Sequence, residues 1–161
     1  MSTIRTPEES EIAALAQLWY SGWQDGHAAV LPAKLSRLRT RESFAERLPA
    51  MLAQTRVVGD LGAPLGFCTI KHDELDQLFV AAEGRGKGIA AALVADAERR
   101  LAAHGVKTAW LACAIGNDRA ARFYEKCGWV LAGTVVNRLE TDEGPFDLAV
   151  WRYEKQLAPA A

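Results

Sequence analysis

The sequence predicts a mixed α+β fold in which most strands are antiparallel and one pair is parallel. Three β-rich runs, at 55–58, 65–70 and 75–80, are separated by short turn-rich segments and are typical of an antiparallel meander. A helical pattern then follows, and such a connection allows the next strand to join in parallel. With 161 residues, of which 50% are hydrophobic, the chain suits one domain over residues 1–161.

The N-terminal segment is predicted to be helical. Its apolar residues form one stripe at helical spacing, and these are Ile12, Leu15, Ala16, Trp19 and Trp23. Pro7 and the acidic residues after it suit a helix start, whereas Gly22 and Gly26 indicate that the helix loosens there. A second helix is predicted after Thr40 as its N-cap, and Pro49 should end or kink it.

The second half of the chain alternates helices and strands. A helix is predicted over 86–103, closed by Gly105 in the position where helices commonly end. The remaining elements are a strand over 108–115, a helix from Asn117 as cap to Lys126, and final strands over 129–137 and 146–154.

Charge and hydropathy exclude two classes of partner. The net charge is −1 and the isoelectric point is near 6.3, so the basic excess that nucleic acid and anionic lipid demand is missing. No uncharged stretch approaches the roughly 18 residues of a membrane span. We therefore expect neither a nucleic acid nor a membrane as partner.

The cysteine pattern indicates a reducing environment. Cys68, Cys113 and Cys127 are odd in number and far apart, and they form no CxxC pair. This pattern predicts buried reduced thiols rather than disulfides or a zinc site. We therefore expect no bound metal and a cytoplasmic location.

A glycine-rich turn, RGKGIA at residues 85–90, lies between the apolar run 78–80 and a helix. Gly86 and Gly88 lack a Cβ, so their backbone N–H groups can approach phosphate oxygens closely. The unpaired donors of the helix start add a favourable partial positive charge. The turn therefore predicts binding of the pyrophosphate of a nucleotide-type cofactor.

Other interpretations of this turn fit less well. Residues 86–91 satisfy GxGxxA, the dinucleotide fingerprint, but the next strand ends near Ile115 without an acidic residue for a ribose, and the preceding strands look antiparallel. A P-loop is excluded because Gly88, not Ser or Thr, follows Lys87. Taken by itself, the turn leaves a purely structural connection open.

Two motifs together resemble one family. Residues 85–90 match the pattern R/Q-x-x-G-x-G/A. The later pattern N…A…F-Y-x-x-x-G-F/W is matched by Asn117, Ala121, Phe123, Tyr124, Gly128 and Trp129. In this order, and over about residues 65–155, the chain resembles the GNAT superfamily of CoA-dependent N-acetyltransferases, whereas its first part is only generically similar.

The resemblance implies a bent, mostly antiparallel sheet of about 6–7 strands flanked by helices and splayed at strands 4 and 5. It implies an enzyme that transfers the acetyl group of acetyl-CoA to a primary amine by direct attack. Backbone amides of the glycine-rich turn would hold the pyrophosphate, and the end of the fourth strand would bind the pantetheine arm. The implied cofactor-binding residues are Phe79, Val80, Arg85, Gly86, Lys87, Gly88, Ile89, Ala90, Asn117 and Tyr124.

Tyr124 is the predicted general acid. In many relatives a tyrosine at its position lies near the CoA sulfur, and a phenol with a pKa of about 10 is protonated at neutral pH. The alternative is a core tyrosine, because a stripe at helical spacing is formed by Ala120, Phe123, Tyr124 and Cys127.

Glu74 is the predicted general base. Period-two alternation places Glu74 and Asp76 on one strand face with Leu78 and Val80. The resemblance favours Glu74, which occupies roughly the place of the catalytic glutamate in relatives that have one. Asp76, a water chain, or a merely solvated Glu74 are the alternatives.

The acceptor pocket is the least defined part of the site. The resemblance implies that it is built from Trp19, Trp23, His27 and the acidic stretch 140–143, which would suit a cationic amine. Core packing of both tryptophans and a solvated loop are the alternative. A small amine or amino acid is the predicted acceptor, with a protein acceptor or a non-catalytic CoA sensor as alternatives, and a homodimer is possible through the last two strands.

Overall fold

A seven-stranded mixed sheet organises the computed structural model, which describes residues 3–159. The strands are β1 (Ile4–Arg5), β2 (Thr55–Asp60), β3 (Ala63–Lys71), β4 (Glu74–Val80), β5 (Thr108–Ala114), β6 (Val130–Leu139) and β7 (Phe146–Gln156). Their order across the sheet is β1-β2-β3-β4-β5-β7-β6. All neighbours pair antiparallel except β4 and β5, which confirms the predicted fold class.

The sheet splits between its two parallel strands. β4 and β5 are joined in register only where Glu74 lies opposite Trp110, next to the hydrogen bond from the Trp110 N–H to the Asp73 carbonyl at 3.2 Å. Beyond this bridge the two strands diverge, so a V-shaped opening lies between their carboxyl ends. The splay predicted at strands 4 and 5 is therefore confirmed.

Helices cover both faces of the sheet. They are α1 (Ile12–His27), α2 (Ala33–Leu38), α3 (Arg41–Arg47), α4 (Ile89–Ala103) and α5 (Asp118–Lys126). Alternation along the strands separates two cores. On the α1 face, Phe67 packs with residues of α1, α2 and α3; on the α4 face, Cys68 packs with residues of α4 and α5. No helix within residues 3–159 is long and apolar enough to cross a membrane.

The predicted helix caps are present. The Thr40 hydroxyl accepts a hydrogen bond from the Ser43 N–H at 3.1 Å, and the Asn117 side chain accepts one from the Ala120 N–H at 3.3 Å. Gly105 follows the C-cap of α4 with a φ of +85°, a conformation that glycine adopts without a Cβ clash.

One expectation about the N-terminal part was wrong. α1 does not loosen at Gly22 or Gly26 but runs on to His27. Gly22 is needed for close packing, because a Cβ there would lie only 2.6 Å from Cδ1 of Phe79 on β4. The short elements β1 and α2 were also not anticipated, since neither carries a periodic pattern long enough to be recognised.

Candidate active site

A cavity of about 1440 Å³ occupies the opening between β4 and β5. It is larger than the roughly 300–1,000 Å³ of ordinary small-molecule sites, so it has room for a large cofactor and a second substrate. Its lining includes Trp23 and His27 on the α1 face and Gly88 and Tyr124 on the α4 face. The cavity therefore connects the two faces of the sheet.

One edge of β4 is free to bind an extended chain. Phe79 and Val80 pair with Phe67 and Gly66 on the β3 side, and both line the cavity. On the β5 side, strand pairing within the described residues stops at Glu74. Because peptide groups need partners, this edge suits an amide-containing ligand such as a pantetheine arm.

The glycine-rich turn forms an open cradle at the start of α4. Gly86 and Gly88 have φ values of +77° and +76°, and a Cβ built on either would meet nothing within 4 Å. Gly88 is the N-cap of α4, whose first intrahelical bond runs from the Ala92 N–H to the Gly88 carbonyl. The preceding N–H groups of the first turn lack helical acceptors, so a phosphate group fits here.

The side chains of this turn differ in their surroundings. The Arg85 guanidinium is 40% exposed and lies 3.0 Å from the Asp25 carboxylate of α1, so an internal carboxylate already pairs with it. Lys87 is exposed and Ala90 lines the cavity. Ile89 packs in the core and is 3% exposed, so only its backbone can serve a ligand.

Tyr124 on α5 packs among other aromatic rings. Its ring lies 6.5 Å from that of Trp129 and 6.4 Å from that of Tyr153. The residue lines the cavity. Burial raises the pKa of the Tyr124 phenol, so the hydroxyl remains a proton donor at neutral pH. Its role as general acid stays a prediction.

Asn117 lies where α5 meets α1. Its side-chain oxygen caps α5, and the residue lines the cavity. A Cβ built on Gly26 would lie 3.4 Å from the Asn117 amide nitrogen, so this amide faces the C-terminal end of α1. Capping therefore leaves the Nδ2 donor available to a ligand.

The predicted face of Glu74 was wrong, because β4 contains a bulge. Leu75 pairs with Ile70 and Gln77 with Thr69, which leaves Asp76 as the extra residue. Leu75 therefore shares the α4 face with Leu78 and Val80, and Glu74, one residue earlier, lies on the opposite α1 face. A bulge of this kind is invisible to a strict period-two analysis.

The bulge places the carboxyl group of Glu74, whose pKa is raised, at the closed end of the opening. Burial, and next the nearby Asp76 carboxylate, raise the pKa of Glu74 to about 8. Burial also raises the pKa of Asp76, against the attraction of Lys71 and Arg47. Glu74 lines the cavity and is a stronger base than an ordinary glutamate, as proton removal from an amine requires.

Of the residues predicted to form the acceptor pocket, some pack in the hydrophobic core and others line the cavity. Trp19 and Trp23 are 1% and 6% exposed and border the cavity from the core. The His27 ring lies 5.7 Å from that of Trp23, its Nδ1 is buried without a hydrogen-bond partner among the described residues, and burial lowers its pKa to about 4. Of the acidic stretch 140–143, only Glu140 borders the cavity.

Sequence reasoning missed two cations in the same half of the cavity. Arg47 ends α3 and lies 4.6 Å above the Trp19 ring, and Arg39 is 4% exposed and donates to the Glu140 carbonyl at 3.0 Å. Both border the cavity. The signal was the three-residue spacing from Phe44 to Arg47, which puts a charge on the apolar side of α3.

The cysteines offer no nucleophile. Cys68 and Cys113 are buried, and burial raises their pKa values to about 12 and about 11, so neither carries a thiolate at neutral pH. Within the described part of the chain, no cluster of His, Cys, Asp and Glu is suited to a metal ion.

The sheet splits between β4 and β5, with a glycine-rich turn at a helix start on one side of the opening and the Glu74 carboxyl on the other, an arrangement that suits an acyltransferase. The sequence model of the acetyltransferase (GNAT) family matches residues 11–129. The chain belongs to this family, which confirms the resemblance read from residues 85–90 and from the Asn117 motif.

Solved structures agree with this fold. An N-acetyltransferase from Rhodopseudomonas palustris has 21% identity and a TM-score of 0.76, with 98% of this chain and 96% of that chain covered. PaiA from Thermoplasma acidophilum, solved with coenzyme A, has 19% identity, 97% and 99% coverage and a TM-score of 0.74. A phosphinothricin acetyltransferase from Sinorhizobium meliloti, solved with acetyl-CoA, has 16% identity, 99% and 90% coverage and a TM-score of 0.71. Among curated protein sequences, none matches this chain.

Proposed function

We propose that the protein transfers the acetyl group of acetyl-CoA to a primary amine of a small molecule or an amino acid. The observation that carries this proposal is the β4–β5 opening, which has a phosphate cradle on the α4 face and the Glu74 carboxyl on the α1 face. A donor and an acceptor can therefore enter from opposite faces of the sheet and meet in the cavity.

Acetyl-CoA is the donor that the cradle supports. Its pyrophosphate would lie on the backbone amides of residues 85–90, and its pantetheine arm along Phe79 and Val80. Asn117 would donate to the same arm. The structures of PaiA with coenzyme A and of the phosphinothricin acetyltransferase with acetyl-CoA support this choice of cofactor.

Direct attack then needs three proton transfers. Glu74 removes a proton from the acceptor ammonium, because only the neutral amine has a lone pair for the thioester carbonyl carbon. The new C–N bond forms and the C–S bond breaks, and Tyr124 donates its proton to the departing CoA thiolate. The proton that the nitrogen loses as it becomes an amide then restores the Tyr124 phenol. The raised pKa of Glu74 supports its role as the base, and the position of Tyr124 in the cavity lining supports its role as the acid.

A small acceptor is supported by the lining of the α1 side of the cavity, to which several helices contribute. Residues of three helices line it, including Trp23 of α1, Leu35 of α2 and Arg47 of α3. A protein acceptor would need an open cleft for its chain. A CoA sensor without catalysis stays the other alternative.

Thiol release from acetyl-CoA tests the proposal, measured with primary amines, amino acids, polyamines, aminoglycosides and short peptides. Release with small amines or amino acids is the expected result. Release with peptides alone would point to the protein acceptor. Tight CoA binding by calorimetry without any release would favour the sensor, and no CoA binding would overturn the assignment of the cradle.

Two further expectations stay predictions. A cytoplasmic site of action is supported by three free cysteines, which fit a reducing compartment. The predicted homodimer can be tested by light scattering at several protein concentrations. The expected result is twice the molar mass of one chain.

A further inference from the structure

Arg47 is a cation without a carboxylate partner inside the α1 half of the cavity. It is half-buried, borders the cavity, and takes part in none of the ion pairs formed among residues 3–159. Its guanidinium carbon lies 4.6 Å from the centroid of Trp19 and 5.8 Å from that of Phe44. Stacking holds the group in place and leaves its N–H donors unused.

The surroundings of Arg47 favour an incoming anion. Burial, and next the nearby Arg39 cation, lower the pKa of Arg47 to about 10, so the guanidinium stays charged at neutral pH. A desolvated charge is costly unless it is paired, and a second cation in the same compartment increases that cost. A carboxylate bound by Arg47 would offset this free-energy cost.

The location of Arg47 excludes the cofactor phosphates as this anion. Arg47 packs on Trp19 in the α1-face core, whereas the glycine-rich turn leads into α4 on the other face of the sheet. Glu74 lies on this same α1 face of β4, and both it and Arg47 border the cavity, so the cation lies on the side of the opening to which Glu74 belongs. The anion must therefore belong to the acceptor.

We propose that Arg47 binds a carboxylate of the acceptor, so that the acceptor is a zwitterion of the amino-acid type whose amine is directed towards Glu74. The inference rests on the proposed function and narrows its substrate class. The planar guanidinium fork matches a carboxylate with two parallel hydrogen bonds, which fixes orientation as well as charge. An amine without a carboxylate lacks this anchor.

Matched acceptor pairs test the inference by steady-state thiol release. Each amino acid is compared with its decarboxylated amine, such as leucine with isopentylamine and phenylalanine with phenethylamine. The readout is kcat/KM for the amino acid divided by kcat/KM for its decarboxylated amine. This ratio is compared between the wild type and Arg47→Gln. The intrinsic reactivity of each amine is the same in both proteins, so a change in the ratio reports on the side chain at position 47.

Arg47→Gln is expected to lower the ratio by about tenfold or more, through a higher KM for the amino acid and an unchanged KM for acetyl-CoA. Arg47→Lys keeps the charge but loses the fork, and an intermediate ratio is expected. The control is Arg41→Gln at the other end of α3, whose side chain is exposed, pairs with Glu42 and lies outside the cavity. It should behave as the wild type.

An unchanged ratio in Arg47→Gln, with both acceptors of a pair equally affected, would overturn the inference and leave the proposed function intact. Absence of thiol release with every acceptor would count against the proposed function, and the inference would fall with it. If Arg47→Gln does not fold, as judged by its thermal transition, the ratio in Arg47→Lys decides.

Discussion

The two sides of the β4–β5 opening differ in the groups that form them, which are main-chain groups on one side and side chains on the other. On the α4 face the main chain forms the site, with the left-handed residues Gly86 and Gly88 leading into a helix start. On the α1 face side chains form it, and the pKa values of Glu74, His27 and Arg47 are all shifted by burial. Cofactor affinity should therefore depend on backbone conformation, and catalysis and acceptor choice on individual side chains.

Replacing Glu74, the proposed base, should have the largest effect on turnover. Glu74→Gln is expected to lower kcat by about 10²-fold, because a general base contributes about that much. The base must be deprotonated, so wild-type kcat/KM should rise with pH through about 8, and the variant should lose this rise. The measurement is a pH–rate profile.

Asp76→Asn is the matched comparison for Glu74→Gln, because Asp76 also lies in the bulged part of β4. It should keep the rise but move it to lower pH, because the Asp76 carboxylate is one of the groups that raise the pKa of Glu74. Loss of the rise in Asp76→Asn and its persistence in Glu74→Gln would transfer the base to Asp76.

The general acid is expected to matter nearly as much. Tyr124→Phe should lower kcat by up to about 10²-fold with little change in CoA affinity, because only the donated proton is removed. Tyr153→Phe is the control, since the Tyr153 hydroxyl donates to Glu125 at 2.9 Å and the residue does not border the cavity. Equal turnover of Tyr124→Phe and the wild type would return Tyr124 to a packing role.

A Cβ in the cradle should weaken cofactor binding by about tenfold, as for the loss of one good phosphate contact. Gly88→Ala places that Cβ where the phosphate should lie, at a φ of +76°. Gly105→Ala, at +85° after the other end of α4, imposes the same backbone strain of about 1–2 kcal/mol away from the site. Calorimetry with CoA should separate the two variants, and equal losses would refute the cradle.

The smallest effects are expected from breaking the Arg85–Asp25 ion pair, which joins the two sides of the opening. Arg85→Gln should raise the KM for acetyl-CoA by about threefold, because an exposed charge is screened. Asp25→Asn removes the other half of the pair and frees Arg85 for phosphate, so it should lower this KM slightly. A change of the same sign in both variants would show that the pair only supports the fold.

The sequence predicted the α4 side better than the α1 side for a physical reason. Gly86 and Gly88 are neighbours in the chain, and the φ values that they adopt are ones that glycine alone adopts freely. The caps Thr40 and Asn117 are likewise local, and each makes the predicted hydrogen bond. Such signals need no knowledge of the tertiary structure.

The acceptor side depends on contacts between distant segments. The bulge at Asp76 moved Glu74 to the other strand face, and nothing in the local pattern announces an extra residue. Arg47 gained its position from packing on Trp19, which lies on a different helix. The uninterrupted α1 also depends on such a contact, because Gly22 packs against Phe79 of β4.

The most direct test of the account is an initial-velocity matrix in which acetyl-CoA and the acceptor amine are both varied. If the two substrates meet in the cavity from opposite sides of the sheet, double-reciprocal lines should intersect, because a ternary complex precedes transfer. Parallel lines would indicate an acetyl-enzyme intermediate. That result would contradict direct attack and would require a nucleophile that the buried thiols of Cys68 and Cys113 do not supply.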